Sequence, residues 1–162
     1  MTILRVMVGV PGAGKSTFIK MMAKPEDAIV SRDKIRFSLI APGIPYFSHE
    51  DDVFKEFCAQ IEQNALNHDV VWADATHMTR GSRRKLLNRI NKSLFEKIEF
   101  YVINTPLEIC LKHNAKREGL SKVPENVINN MYAKFSYPTK DEVNDIDCAI
   151  INIEFIEEGG EN

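Results

Sequence analysis

The segment "GVPGAGKS", residues 9–16, decides how this chain of 162 residues folds. It follows an apolar run, residues 3–10, and leads into the helix-prone segment "STFIKMMAK". A glycine-rich turn in this position lets successive backbone N–H groups point inward, and the N-terminus of the following helix adds its positive dipole end. The pattern G-x-x-x-x-G-K-[ST] is therefore a phosphate-binding loop, in which Lys15 reaches the β and γ phosphates and the Ser16 hydroxyl ligates Mg²⁺.

This loop predicts ATP and Mg²⁺ as cofactors but leaves the reaction open, because kinases, GTPases, transporters and motors all use it. No N-K-x-D motif follows a strand, and "NKSL" at 91–94 lacks the aspartate, so guanine specificity is not expected. The predicted nucleotide-binding residues are Gly9, Pro11, Gly12, Ala13, Gly14, Lys15, Ser16 and Thr17.

Short apolar runs alternate with helical patterns along the whole chain, which is typical of a parallel sheet covered on both faces. We predict the α/β class and the P-loop NTPase fold, with a roughly five-stranded, mainly parallel sheet, helices on both faces and a helical lid. The predicted strands are residues 3–10, 28–31, 69–74, 97–104 and 148–155.

The chain length suits one domain. We expect a single P-loop kinase domain over residues 1–156 and a polar C-terminal tail over 157–162. The signals at Thr105 (N-cap) and Gly119 (helix end) predict a helix over 106–117. Another helix starts at Pro124, so the polar connection forms a lid around residues 112–124.

The composition, with 44% hydrophobic and 27% charged residues, is that of a soluble globular protein. No apolar run approaches the roughly 18 residues of a membrane span, so we expect a cytoplasmic protein without membrane contact. Cysteines and histidines lack transition-metal spacing. The net charge is −2, but residues 80–122 hold eleven Lys/Arg against four Asp/Glu, which favours an anionic partner. No obligatory protein partner is evident.

The segment "IVSRDKIRF", residues 29–37, follows the second predicted strand and carries the acceptor chemistry. Ligands of doubly wound folds bind at the carboxyl ends of strands, which brings Arg32, Asp33 and Arg36 beside the γ-phosphate. Asp33 can then accept the proton of an attacking hydroxyl, while Arg36 holds an anionic group. The alternative is that Asp33 merely caps the next helix and the arginines are solvated.

Another carboxylate, Asp74, ends the strand "VVWAD", the usual place of a Walker B aspartate. It either holds the Mg²⁺ shell, together with Ser16, or orients Arg36. Residues 79–92 then form a basic helix around an apolar stripe, and this helix suits a polyanion. Its basic residues are Arg80, Arg83, Arg84, Lys85, Arg89 and Lys92.

The ordered set "GVPGAGKSTF", "SRDKIR", "DATH", "HNAKRE" and "FSYPT" resembles the kinase domain of the polynucleotide 5′-hydroxyl kinase family, most closely its phage branch. The resemblance runs over most of the chain. It implies an ATP-dependent kinase that transfers the γ-phosphate to the 5′ hydroxyl of RNA or DNA ends in nucleic-acid repair. No D-x-D-x-T phosphatase signature is present, so removal of 3′ phosphates is not expected.

The resemblance also implies roles for residues. Lys15, Asp33 and Arg117 are the catalytic set, with Asp33 as general base and Arg117 closing from the lid onto the transferring phosphoryl group. Arg36 holds the phosphate 3′ to the acceptor nucleoside. The other substrate-binding residues are Asp74, Thr76 and Arg32, and the metal ligands are Ser16 and Asp74.

Two other functions remain open. A small-molecule or peptidoglycan-sugar kinase, gluconate-like or zeta-toxin-like, would use Lys15, Ser16, Asp33 and Arg117 in similar roles. A nucleotide-binding regulator or assembly ATPase would need ATP but no acceptor, so that Asp33 would be dispensable.

Overall fold

The structure is a computed structural model that describes residues 1–41, 43–45 and 48–155. Of Leu120 it describes only the backbone. The end of the predicted domain, residue 156, and the predicted tail, 157–162, lie outside the described residues. Within the described residues, no helix combines the length and the apolar character needed to cross a bilayer.

In the described residues, five strands are separated by six α-helices, as the apolar runs predict. The strands are β1 Thr2–Val8, β2 Ala28–Ser31, β3 Val70–Asp74, β4 Phe95–Asn104 and β5 Asp147–Glu154. The helices are α1 Lys15–Met22, α2 Arg32–Leu39, α3 Glu50–Ala65, α4 Arg80–Arg89, α5 Leu107–Ala115 and α6 Glu125–Ala133. Short 3₁₀ turns occupy Lys92–Leu94, Gly119–Ser121 and Lys140–Glu142.

The strands form one sheet in the order β2-β3-β1-β4-β5, and every pairing in it is parallel. The predicted fold class is confirmed. The connection from β1 to β2 runs across the sheet in the opposite direction to the three later connections. Because parallel crossovers are right-handed, α1 lies on one face and the helices of the later connections lie on the other.

The two faces of the sheet are covered differently. On the α1 face, the Phe18 ring lies 6.3 Å from that of Trp72 and 5.7 Å from that of Tyr101, measured between centroids. Arg5 covers the same face, with its guanidinium 4.8 Å from the Trp72 ring and an ion pair to Glu99. The central strand β1 is almost fully buried, so it fixes the position of the loop that follows it.

The helix after β4 differs from the sequence prediction at both ends. Its N-cap is Pro106, and the helix ends at Ala115. The Thr105 hydroxyl, predicted to cap the helix, instead donates to the Ala13 carbonyl oxygen at 2.7 Å. Gly119 has the expected positive φ of 62°, but it opens a 3₁₀ turn and lies four residues after the end of the helix. A tertiary contact to the loop thus outweighs the local capping signal.

Candidate active site

A cavity of about 280 Å³ lies at the carboxyl ends of the strands. At this place the connections of the neighbouring strands β1 and β3 run in opposite directions, from β1 to β2 and from β3 to β4. Such switch points are the ligand sites of open α/β sheets. The glycine-rich loop contributes Pro11, Gly12, Gly14, Lys15, Ser16 and Thr17 to its lining. The later segments contribute the other predicted residues, Arg32, Asp33, Arg36, Asp74, Thr76 and Arg117.

Two predicted loop residues, Gly9 and Ala13, do not line this cavity and instead anchor the loop. The Gly9 N–H donates to the Thr76 carbonyl oxygen at 2.9 Å. The Ala13 carbonyl oxygen accepts the Thr105 hydroxyl. The loop is therefore tied to the segments after β3 and β4.

Backbone conformation and steric room explain why two positions of the loop are glycine. Gly12 and Gly14 have φ of 86° and 99°, in the region that favours glycine. A Cβ on Gly12 would also lie 2.3 Å from the Cys110 carbonyl oxygen of α5, which leaves no room for one. The first turn of α1 has no side-chain cap. Its N–H groups therefore remain available to an anion in the cavity.

Charges converge on Lys15 from three segments. Its ammonium group donates to the Val10 carbonyl oxygen at 3.0 Å. Burial lowers the pKa of Lys15, the negative charges of Asp74 and Asp33 act to raise it, and Arg117 acts to lower it further. Lys15 therefore shares the cavity with two acids and an arginine whose charges act on it.

Ser16 and Asp74 meet at the end of β3, where the Ser16 hydroxyl donates to Asp74 Oδ2 at 2.7 Å. A hydroxyl and a carboxylate side by side offer two oxygen ligands. Mg²⁺ prefers such ligands, with few protein groups and the remaining positions filled by phosphate oxygens and water. The donor set therefore fits Mg²⁺ accompanying a nucleotide.

The segment after β2 forms α2, and its N-cap is the Ser31 hydroxyl, which accepts from the Lys34 N–H at 3.3 Å. The alternative that Asp33 serves only as the helix cap is thus wrong. The Asp33 side chain is 52% exposed and lines the cavity, and Arg36 Nη1 donates to its Oδ1. A carboxylate presented in this way can accept a proton from a bound acceptor.

Arg36 is not solvated, because Glu50 at the start of α3 binds it with both carboxylate oxygens. Arg36 Nε and Nη2 donate to Glu50 Oε2 and Oε1, both at 2.8 Å, and only 7% of the Arg36 side chain is exposed. Burial acts to raise the pKa of Glu50, but hydrogen bonds and charges from Arg36 and Arg32 outweigh it and lower that pKa. Glu50 therefore stays ionised and neutralises part of the acceptor side.

The segment "DATH" after β3 is fixed by buried polar contacts. His77 has a φ of 45°, and its Nδ1 lies 2.8 Å from the Met7 carbonyl oxygen. Burial lowers the pKa of His77 to about 4, so the ring is neutral at physiological pH. The His77 carbonyl oxygen in turn accepts from Arg83 Nη1 at 2.8 Å. This network holds the turn that carries Thr76 at the cavity.

The structure corrects part of the prediction of a basic helix around an apolar stripe at 79–92. Arg83 is fully buried, with an ion pair of 2.8 Å to Glu142, and Arg80 forms an ion pair of 2.8 Å with Asp141. The helix ends at Arg89. Arg83 occupies a position of the apolar stripe, three residues before Leu86, so helical spacing alone would have identified it as inward-facing.

The predicted lid region contains a buried clasp. Asn114 of α5 donates to the Val123 carbonyl oxygen at 2.7 Å and accepts from the Val123 N–H at 2.9 Å. Between these residues the chain makes a compact turn, and Arg117 Nη1 lies 3.5 Å from the Ser121 carbonyl oxygen. Arg117 and Val123 both line the cavity. The clasp thus sets where Arg117 enters it.

The sequence reasoning missed Glu50 and Asn114. Glu50 lies 14 residues after Arg36, and no local pattern links an acid at the start of one helix to an arginine of the preceding helix. A signal did exist for Asn114, which is a polar residue at a position four residues after the buried Cys110 of the same helix.

Comparison with known proteins agrees with this architecture. Residues 4–138 match the family model described as the AAA domain. A curated relative, the L-seryl-tRNA(Sec) kinase of Methanococcus maripaludis, is 31% identical over 141 residues, which are 83% of this chain and 53% of that protein. The chain therefore spans about half the length of the curated relative it matches.

Solved structures also show the fold. A chain of the Pnkp1/Rnl/Hen1 RNA repair complex has a TM-score of 0.63 and 23% identity, over 82% of this chain and 43% of that one. A sugar kinase from Janibacter sp. HTCC2649 has a TM-score of 0.60 and 19% identity, over 94% and 86%. The kinases among these matches support the prediction of a phosphotransferase. Because the family model matches residues 4–138, well over half of the chain, the chain belongs to the AAA domain family.

Proposed function

We propose that the chain is an ATP-dependent kinase that transfers the γ-phosphate to the 5′ hydroxyl of RNA or DNA ends. The observation that carries the proposal is the single cavity shared by Lys15, Ser16, Asp33, Asp74 and Arg117. The names of the tRNA kinase and the RNA repair complex support a nucleic-acid acceptor. We propose one kinase domain over residues 1–156, and cytoplasmic location stays a prediction.

The proposed step is a direct phosphoryl transfer. The acceptor oxygen forms a bond to the γ-phosphorus while the bond from that phosphorus to the β–γ bridging oxygen breaks, and ADP leaves with the electron pair. The hydroxyl proton passes to the Asp33 carboxylate. Arg36, held by Glu50, keeps that carboxylate oriented toward the cavity. Lys15 and the N–H groups of α1 hold the phosphates.

Ser16 and Asp74 would hold Mg²⁺, which would supply charge neutralisation for the nucleotide phosphates. The chain itself supplies the other positive charge in two places. Lys15 projects from the loop, and Arg117 enters from the lid region of residues 112–124. An arginine acting on transition-state charge contributes about 10³- to 10⁵-fold in rate in related phosphoryl transfers.

A second candidate, a small-molecule kinase, is favoured by one specific observation. Arg32 and Arg36 both bind Glu50, so the acceptor side carries less positive charge than its two arginines alone would give. The Janibacter sugar kinase also matches over most of its own length. A neutral acceptor would need no further cation.

The test measures transfer from γ-labelled ATP in the presence of Mg²⁺. The acceptors are a 5′-hydroxyl RNA, the same sequence as DNA, matched oligonucleotides carrying a 5′ phosphate, and gluconate. The proposal expects label on the 5′-hydroxyl strands and none on the 5′-phosphorylated controls. Label on gluconate alone would favour the small-molecule kinase and reject the nucleic-acid acceptor.

A further inference from the structure

The acceptor side of the cavity continues across a buried aromatic ring to α4. Phe54 of α3 is 9% exposed, and two cations lie over its ring. Arg32 Cζ is 5.5 Å from the ring centroid, and Lys85 Nζ is 4.6 Å from it. Because both distances run to one centroid, the two charges lie no more than about 10 Å apart. Arg32 lines the cavity, whereas Lys85 is an exposed residue of α4.

Arg32 has a donor that the described part of the protein does not satisfy. Its Nη2 donates to Glu50 Oε1 at 3.2 Å, but its Nε is buried and has no hydrogen-bond partner. Leaving a buried N–H unpaired is unfavourable, so such groups in native proteins usually have a partner. Arg32 lines the cavity, so a rearrangement of its side chain would bring this donor to a phosphate oxygen bound there, and phosphate oxygens match guanidinium geometry.

The exposed basic residues of α4 continue the line of charge away from the cavity. Lys85 and Arg89 are exposed, in contrast to the buried Arg83. Burial raises the pKa of the Cys58 thiol to about 11, and the positive charges of Arg89, Arg32 and Lys85 act in the opposite direction, with Glu62 adding to the rise. Arg32 of α2 and Lys85 and Arg89 of α4 therefore all lie near enough to Cys58 of α3 to act on its thiol.

We infer that Arg32, Lys85 and Arg89 form a phosphate track that binds the backbone of a single-stranded polynucleotide beyond its 5′ end. The inference rests on the proposed function and specifies its substrate class, a polymer of several nucleotides. The order along the track is the cavity first, then the Phe54 ring, then α4. A nucleoside or a sugar would not reach Lys85 or Arg89.

The experiment measures binding, independently of phosphoryl transfer. A 3′-labelled 12-nucleotide single strand with a 5′ hydroxyl, as RNA and as DNA, is titrated by fluorescence anisotropy at several salt concentrations. The proteins are the wild type, the double variant Lys85→Gln/Arg89→Gln, and the control Lys20→Gln/Lys24→Gln. The control removes two exposed charges from α1 and the loop that follows it, and α1 lies on the other face of the sheet.

If the track exists, the wild type and the control should bind the 12-nucleotide strand with the same affinity. A 5′-hydroxyl dinucleotide should compete for binding at least tenfold less well than the 12-nucleotide strand. The track variant should bind the longer strand about tenfold more weakly. Its log–log salt slope should be smaller by about 1.4, since each single-strand phosphate contact contributes about 0.7.

Equal binding by the track variant and the control would overturn the inference, as would an absence of any length advantage. Thermal unfolding of both variants checks that they fold. The proposed function is judged separately by label transfer from ATP. A wild type that binds the long strand through the track but transfers nothing to it would refute the kinase proposal and leave the track standing.

Discussion

Protonation of the buried His77 ring should make the protein markedly less stable as pH falls from 7 to 5. Burial lowers the folded-state pKa to about 4, whereas the unfolded chain has the ordinary value of 6.5. Because the unfolded state then binds more protons, stability is fully present above pH 6.5 and is lost as pH falls toward 4. For one site with these two values, the free energy of unfolding falls by about 2 kcal/mol between pH 7 and 5.

The matched variant is His77→Asn, because asparagine tolerates the φ of 45° at this position and does not titrate. Denaturant unfolding at pH 7, 6 and 5 gives the free energy of unfolding of both proteins. The variant should lose about 2 kcal/mol less than the wild type between pH 7 and 5, whatever its stability at pH 7. Parallel pH profiles for the two proteins would refute the assignment of a neutral, buried His77.

Three substitutions test other contacts of the site. Gly12→Ala should weaken ATP binding at least tenfold in a nucleotide titration, because the new Cβ would lie 2.3 Å from a carbonyl oxygen. The control is Gly43→Ala, since Gly43 has a similar φ but open space around it, and this variant should bind ATP normally. Arg83→Met should lower the free energy of unfolding by about 3 to 5 kcal/mol in denaturant melts, because the buried carboxylate of Glu142 loses its cation. A loss under 1 kcal/mol would contradict this. Asn114→Ala removes two buried hydrogen bonds to Val123, so it should lower kcat by a larger factor than it lowers ATP affinity. An unchanged kcat would show that these hydrogen bonds do not position Arg117.

The sequence predicted the sheet well because local patterns encode it. All five strands were expected within three residues of their observed ends, since buried parallel strands read as short apolar runs. The loop at 9–16 could also be identified from the sequence, because the glycines and the Lys15–Ser16 pair have fixed roles around a phosphate. Local signals were sufficient for these elements.

The parts that sequence reasoning missed depend on contacts between distant segments. Thr105 has a capping pattern, but its hydroxyl binds the phosphate loop across the site. Arg83 was counted among the basic residues of a helix that suits a polyanion, although a carboxylate 59 residues later makes its burial possible. Glu50 was not anticipated at the site at all. Pairings of this kind follow from the packing of the folded chain, which no single segment specifies.

The central claim is that Asp33 acts as general base in a cavity that binds ATP by other groups. The most direct measurement compares Asp33→Ala with the wild type in ATP affinity and in label transfer to a 5′-hydroxyl strand. Asp69→Ala, an exposed acid before β3 at the opposite edge of the sheet, is the control. The account predicts nearly unchanged ATP binding with transfer reduced by about 10²- to 10⁴-fold. Transfer equal to that of the wild type, or a parallel loss of ATP affinity, would contradict it.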